Sequence, residues 1–249
     1  MFVCLCVIAH GSNLPGRLCC TAAPFLPIIG DGDTGFGEVQ NIWRAVHGYA
    51  AAGFAAISIE DQTFPKRCSF SRGMRCVDRE EAVKRVEIAL AAAKSCYETT
   101  GREILVVGRT DVRNDESLGD KAFQEVLCRA KAFEELGCGI VYFEGPQNEE
   151  EMRKFNQAIS RASTMLAQVE KPGRALLSTE QCAELGYSMC LHGLTLLSAS
   201  VRAMEQALGH LASGSPPKPV EEGGILCSFD HLYSVVGFEE LAKQEERFL

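Results

Sequence analysis

From residue 25 onward the chain alternates short, mostly apolar runs with longer segments of helical period. Phe25–Gly30, Phe54–Ile59, Ile104–Gly108, Gly139–Phe143, Thr164–Val169 and Tyr187–His192 read as strands buried on both faces. Between them, Glu80–Glu98 places Val83, Val86, Leu90 and Ala93 on one face with charges opposite, as a helix covering a sheet does. Leu194–Leu208 likewise sets Leu194, Leu197, Val201 and Met204 at helical spacing. This alternation predicts parallel βαβ units in an α/β fold. The stretch SGSPPKPVEEGG, Ser213–Gly224, interrupts the pattern as a loop or hinge, and Phe229–Leu249 reads as a terminal helical pair. The expected organisation is an unassigned segment 1–24, a β/α barrel unit 25–212 and a hinge with C-terminal helices 213–249.

A length of 249 residues suits one α/β barrel, and 46% hydrophobic with 23% charged residues describes a globular chain. No apolar run approaches membrane-spanning length. Met1–Ala9 is apolar with no basic residue before it, which favours a buried strand or an extraneous tail over a signal peptide. A formal charge of -8 argues against nucleic acid or an anionic membrane as the main partner, so an anionic substrate would need local cations or a metal. The 12 cysteines contain no C-x-x-C pair and read as reduced thiols of an intracellular protein, cytoplasmic or organellar.

Charge gathers where the strands end: Asp31 and Asp33, Glu60 and Asp61, Arg109 and Asp111, then Glu144. In a parallel barrel those ends share one face, where converging carboxylates repel unless a cation holds them; a hard divalent metal is the simplest resolution. Any one of these acids is equally well explained as a helix cap. The set, with an arginine among them, points to a site. Gly30-Asp31-Gly32-Asp33-Thr34-Gly35 also fits the dinucleotide pattern G-x-G-x-x-G, but its two aspartates would face a pyrophosphate with like charge. The loop Pro65-Lys66-Arg67-Cys68, continuing through Ser69-Phe70-Ser71-Arg72-Gly73, surrounds a thiol with cations, a setting that favours thiolate and suits a proton donor and acceptor.

Asp31-Gly32-Asp33-Thr34-Gly35-Phe36-Gly37, Ile59-Glu60-Asp61-Gln62, Pro65-Lys66-Arg67-Cys68, Gly108-Arg109-Thr110-Asp111 and Phe143-Glu144 together resemble, in order and spacing, the isocitrate lyase/phosphoenolpyruvate mutase superfamily. Its small metal-dependent members, of the methylisocitrate lyase and carboxyvinyl-carboxyphosphonate phosphorylmutase kind, are the ones the chain resembles, over about Phe25–Leu249. The resemblance implies a TIM-type (β/α)8 barrel and a Mg2+ (or Mn2+) ion, with Asp31 in contact and Asp33 and Glu60 acting through water. It implies that Arg109 clamps substrate carboxylate and enolate oxygens, that Glu144 is an active-site acid, and that Cys68 is the catalytic cysteine. Lys66, Arg67, Arg109 and Gln168 are then the substrate-binding side chains. The implied activity is cleavage of a carbon–carbon bond in a small 2-hydroxy di- or tricarboxylate by a homo-oligomer, a dimer or tetramer. A phosphonopyruvate- or phosphoenolpyruvate-type mutase or hydrolase, an oxaloacetate decarboxylase and a truncated noncatalytic relative are the alternatives.

The chain also departs from the family pattern. Ser69 and Phe70 follow Cys68 where lyases keep Gly-His, and Gln168 stands near the family's asparagine. Two βα units precede the Phe25 strand in the family, whereas 24 residues precede it here; even with Phe2–Ala9 recruited, the expected strands number seven, an N-terminally incomplete barrel.

Overall fold

The strand residues alternate between two apolar environments, and that alternation organises the molecule. In the computed structural model, which describes residues 2–4, 20, 25–69, 71–170 and 176–249, the strands are β1 (Phe2–Cys4), β2 (Ile29–Asp31), β3 (Ala56–Glu60), β4 (Leu105–Thr110), β5 (Ile140–Phe143), β6 (Ser163–Gln168) and β7 (Met189–His192). All pair in parallel, in the order β1-β7-β6-β5-β4-β3-β2. Ile29, Ala56, Val107, Ile140, Tyr142, Met165 and Ala167 form one small core, the inner lining of a curled sheet. Their neighbours Ile28, Ile57, Ile59, Val106, Val141, Phe143, Leu166 and Cys190 belong to the larger core beneath the helices. A parallel sheet covered by helices on one side and packed on itself on the other is a TIM-type barrel, here incomplete, with β1 and β2 as its two edges.

The helices of this unit are α1 (Val39–Ala52), α2 (Arg79–Thr100), α3 (Ala122–Leu136), α4 (Glu149–Ala158) and α5 (Thr179–Glu184). The α2 helix buries Ala82, Arg85, Val86, Ala89, Ala92 and Cys96. The face expected from the large residues is therefore rotated: Val83, Leu90 and Ala93 lie at its half-buried margin. Small side chains at the contact let α2 lie close beside α1 and α3. The first compact unit ends at Gly193; the second, Leu194–Leu249, holds α6 (Thr195–Ala212), α7 (Phe229–Val235) and α8 (Phe238–Glu246). Among the described residues, no helix is long and apolar enough to cross a membrane, and Cys68, Cys76, Cys96, Cys128, Cys138, Cys182, Cys190 and Cys227 are free thiols. Of the apolar start, Phe2–Cys4 is strand; the remainder to Ala9 lies outside the described residues.

Candidate active site

Strand register lines up the chemistry. Glu60 pairs with Arg109, and Arg109 with Tyr142, so an acid, a base and a phenol occupy one row across β3, β4 and β5. All three share the inner-facing parity, at the carboxyl end of the sheet. Asp31 closes β2 next door. Its loop is held tightly: Gly32 N–H donates to the Ser58 carbonyl (2.8 Å), and a Cβ at Gly32 would lie 2.7 Å from that oxygen. A Cβ at Gly30 would strike the Tyr49 ring, whose hydroxyl donates to the Asp31 carbonyl (2.7 Å). Burial, with Asp31 and Asp33 nearby, pushes the Tyr49 phenol up to about 12. Asp33 sits at φ 48°, a left-handed conformation uncommon for a non-glycine residue, and its N–H donates to Asp31 Oδ1 (3.1 Å). These glycines serve packing and the turn, and α1 begins only at Val39, which removes the dinucleotide reading.

Asp31, Asp33 and Glu60 each present a carboxylate oxygen, all within 4.8 Å of one another. Both Glu60 carboxylate oxygens are buried and accept no hydrogen bond; Oε2 faces Lys66 Nζ at 3.2 Å and Arg109 Nη1 at 3.3 Å. Burial pushes the Glu60 carboxyl up to about 8, against the opposing charges of Arg109 and Lys66. An all-oxygen donor set with such an under-coordinated carboxylate fits a hard divalent cation such as Mg2+ or Mn2+.

Arg109 is fixed on several sides. Its Nε and Nη2 donate to Asp111 Oδ1 and Oδ2 (2.8 and 3.0 Å), Nη2 also donates to Ser69 Oγ (3.1 Å), and the guanidinium lies 5.3 Å from the Tyr142 ring centroid. Glu144 Oε2 is 4.0 Å from Nη2 and accepts the Tyr142 hydroxyl. Burial would raise the Asp111 carboxyl, but Arg109 and hydrogen bonds from Gln62 and Ser69 hold it below the usual range. Asp61 turns the other way, to Arg129 Nη1 (3.0 Å) and the Asp111 N–H (2.8 Å), and burial pushes its carboxyl up.

The structure brings Asp31, Asp33, Glu60, Lys66, Arg109 and Glu144 together. Lys66 contacts all three of these acids, Asp31, Asp33 and Glu60, and so neutralises them together with Arg109. Arg67 is exposed, its guanidinium turned back on the Arg72 carbonyl (3.4 Å). Cys68 is exposed too, between Lys66 on the triad and Ser69 buried against Asp111 (2.8 Å). Leu177 engages both ends of the Gln168 amide: its N–H donates to Oε1 (2.7 Å) and its carbonyl accepts from Nε2 (2.8 Å). Sequence reasoning missed Gln62, Ser69 and Tyr142 as site residues, and it placed Asp111 in the charged set without its hold on Arg109.

The profile of the phosphoenolpyruvate phosphomutase family matches residues 17–212. The chain belongs to that family. It is 29% identical over 223 residues to a 2,3-dimethylmalate lyase of Eubacterium barkeri, covering 90% of this chain and 72% of that one. A 2-methylisocitrate lyase of Aeropyrum pernix is 30% identical over 221 residues, 88% of this chain and 66% of that protein. A chloroplastic carboxyvinyl-carboxyphosphonate phosphorylmutase of Arabidopsis thaliana is 30% identical over 224 residues, 90% and 60% of the respective lengths. The chain thus spans between 60% and 72% of the length of these relatives. A crystal structure of 2,3-dimethylmalate lyase superposes with TM-score 0.81 at 27% identity, over 94% of this chain and 74% of that one. An oxaloacetate acetylhydrolase structure, 23% identical, shares the fold with TM-score 0.83 over 96% of this chain and 77% of its own. The family is one of enzymes, and the two lyases among these relatives are named for small carboxylic acids.

Proposed function

We propose that the chain is a divalent-metal-dependent carbon–carbon lyase acting on a small 2-hydroxy di- or tricarboxylate. One observation carries the reading: a triad of carboxylates within 4.8 Å stands beside Arg109, whose Nη1 is 3.3 Å from Glu60, at the carboxyl end of a parallel barrel. Asp31, Asp33 and Glu60 would hold Mg2+ or Mn2+, which when bound supplies Lewis acidity toward substrate oxygens. Arg109, locked by Asp111 and Ser69, offers a fixed guanidinium where enolate charge develops, so little reorganisation is needed as the bond breaks.

Loss of the substrate hydroxyl proton lets the carbon–carbon electron pair move onto the carboxylate-bearing fragment, giving a 2-oxo acid and an enolate. Glu144 offers the base: it lies outside both the triad and the Asp111 clamp, oriented by the Tyr142 hydroxyl. The enolate then takes a proton at carbon, and Cys68, exposed beside Ser69, is the donor the loop offers. The exposed helical seam of α6 supports a homo-oligomer as the working form.

A panel of 2-hydroxy di- and tricarboxylates, oxaloacetate and phosphonopyruvate, assayed with Mg2+ for 2-oxo acid release, tests the reading. Chelation and Asp31→Ala are each expected to abolish turnover, and Arg109→Gln to lower it by about 10²- to 10³-fold, the scale for losing one oxyanion donor. Turnover that survives chelation overturns it. Cys68→Ser is expected to cost about a hundredfold while metal binding persists; equal turnover would assign the proton to water and favour decarboxylation.

A further inference from the structure

The ammonium of Lys66 meets three carboxylates at once. Its Nζ lies 3.4 Å from Asp31 Oδ2 and 3.2 Å from Glu60 Oε2, and it donates to Asp33 Oδ1. Those are the same three residues whose oxygens converge as a candidate metal set. The Glu60 side chain has no solvent exposure, and its carboxylate accepts no hydrogen bond, so cations alone compensate it. Burial works against the charge on Lys66, but Asp31 and Glu60 hold it protonated.

We propose that the Lys66 ammonium and a divalent cation compete for one position, so that metal entry expels Lys66 from the carboxylate triad and frees it for the substrate carboxylate. The three carboxylate oxygens lie within 4.8 Å of one another and Lys66 sits against all three residues, so a cation held by the same oxygens would stand within a few ångströms of the ammonium, and like charges that close in a buried setting repel strongly. Lys66 can leave because of where it is carried. Its segment bulges from β3 between Gln62 and Cys76, which form an isolated bridge at the base, with Thr63 N–H donating to the Arg75 carbonyl (2.9 Å). Within the bulge Ser69 stays tied to Asp111, while Phe64, Pro65, Arg67 and Cys68 are exposed. The order of binding follows: metal first, then substrate onto the released ammonium. This rests on the proposed function for the choice of triad and for the carboxylate substrate.

The experiment measures Mn2+ binding to the full chain and to Lys66→Met and Lys66→Arg, by the electron paramagnetic resonance of free Mn2+, with no substrate present. Lys66→Met is expected to bind at least about tenfold more tightly than wild type, since one competing charge is gone; Lys66→Arg should bind no more tightly. The rate of thiol labelling at Cys68, located by peptide mass, should change on adding Mn2+ to wild type and stay constant in Lys66→Met. If Lys66→Met is unstable without metal, its Mn2+-induced rise in Tm must exceed that of wild type at equal Mn2+. Equal or weaker Mn2+ binding in Lys66→Met overturns the proposal. Absence of Mn2+ binding in every variant overturns it together with metal dependence, whereas competition without turnover on any substrate overturns the lyase reading alone.

Discussion

Tyr142 is the residue through which the two halves of the site meet. Its ring lies beneath the Arg109 guanidinium at 5.3 Å, and its hydroxyl donates to Glu144. Phenylalanine at this position would keep the ring, the packing and the cation–π contact, and would remove only the donor that fixes Glu144. Tyr142→Phe is therefore expected to lower kcat about tenfold with KM little changed, while stability falls by no more than the roughly 1 kcal/mol of one hydrogen bond. A fall in Tm with unchanged kinetics would make it a packing residue only. The acids Asp31, Asp33 and Glu60 were legible in the sequence because each follows an apolar run, and strand geometry alone then gathers them. Tyr142 was not: it reads as one more apolar strand residue until the register sets it beside Arg109. Ser69 and Asp111 meet across forty-two positions of chain, a distance no local pattern spans. Gln168 differs in another way: both ends of its amide meet the backbone of Leu177, nine positions on, a pairing that no side-chain pattern displays.

At the scale of elements, the strand positions were readable because buried parallel strands leave almost unbroken apolar runs, and their edges moved by only a few residues. The helix faces were less so. Apolar size suggested Val83 and Leu90 for the core, whereas helix–helix proximity selected Ala82, Ala89 and Ala92. One junction between elements has a pH signature. Glu134, near the end of α3, accepts the N–H groups of Ser160, Arg161 and Ala162 on Oε1 (2.9, 2.5 and 2.9 Å), and so fixes the turn leading into β6. Burial opposes its charge, but the three amides outweigh burial and hold the carboxyl below its usual range. A carboxyl depressed in the folded state stabilises fully above the unfolded value and loses that contribution as pH falls through the folded one. Glu134→Ala is expected to cost about 2–3 kcal/mol near neutral pH, and Glu134→Gln less, from three charge-assisted bonds left unmade. Urea titrations should show the gap between wild type and Glu134→Gln narrowing through the acid range; a gap constant with pH would mean that the charge contributes nothing.

For the whole molecule, the strongest unmet demand is apolar. Along α6, Leu197, Val201, Met204, Leu208 and Leu211 recur at spacings of four and three, the period of a helix-packing seam, and their exposures are 62%, 43%, 57%, 65% and 59%. The same C-terminal unit exposes Phe229, Val235, Val236 and Phe238. Full burial of such side chains is worth about 1.5–3 kcal/mol each. Covering the exposed half of five residues in each of two copies therefore contributes roughly 10 kcal/mol, against an association cost of about 4–15 kcal/mol. The α6 seam alone is marginal, and the aromatic residues of α7 and α8 would have to join it for a stable assembly. A dimer or tetramer at micromolar protein in analytical ultracentrifugation is the expected result. Leu197→Glu with Met204→Glu places four charges into a two-copy seam and should shift the population to monomer, while far-ultraviolet circular dichroism and Mn2+ affinity stay as in wild type, because the triad belongs to the first unit. A wild-type monomer at that concentration would overturn the assembly, and an unchanged oligomer in the double variant would move the interface away from α6 to the surfaces of α7 and α8.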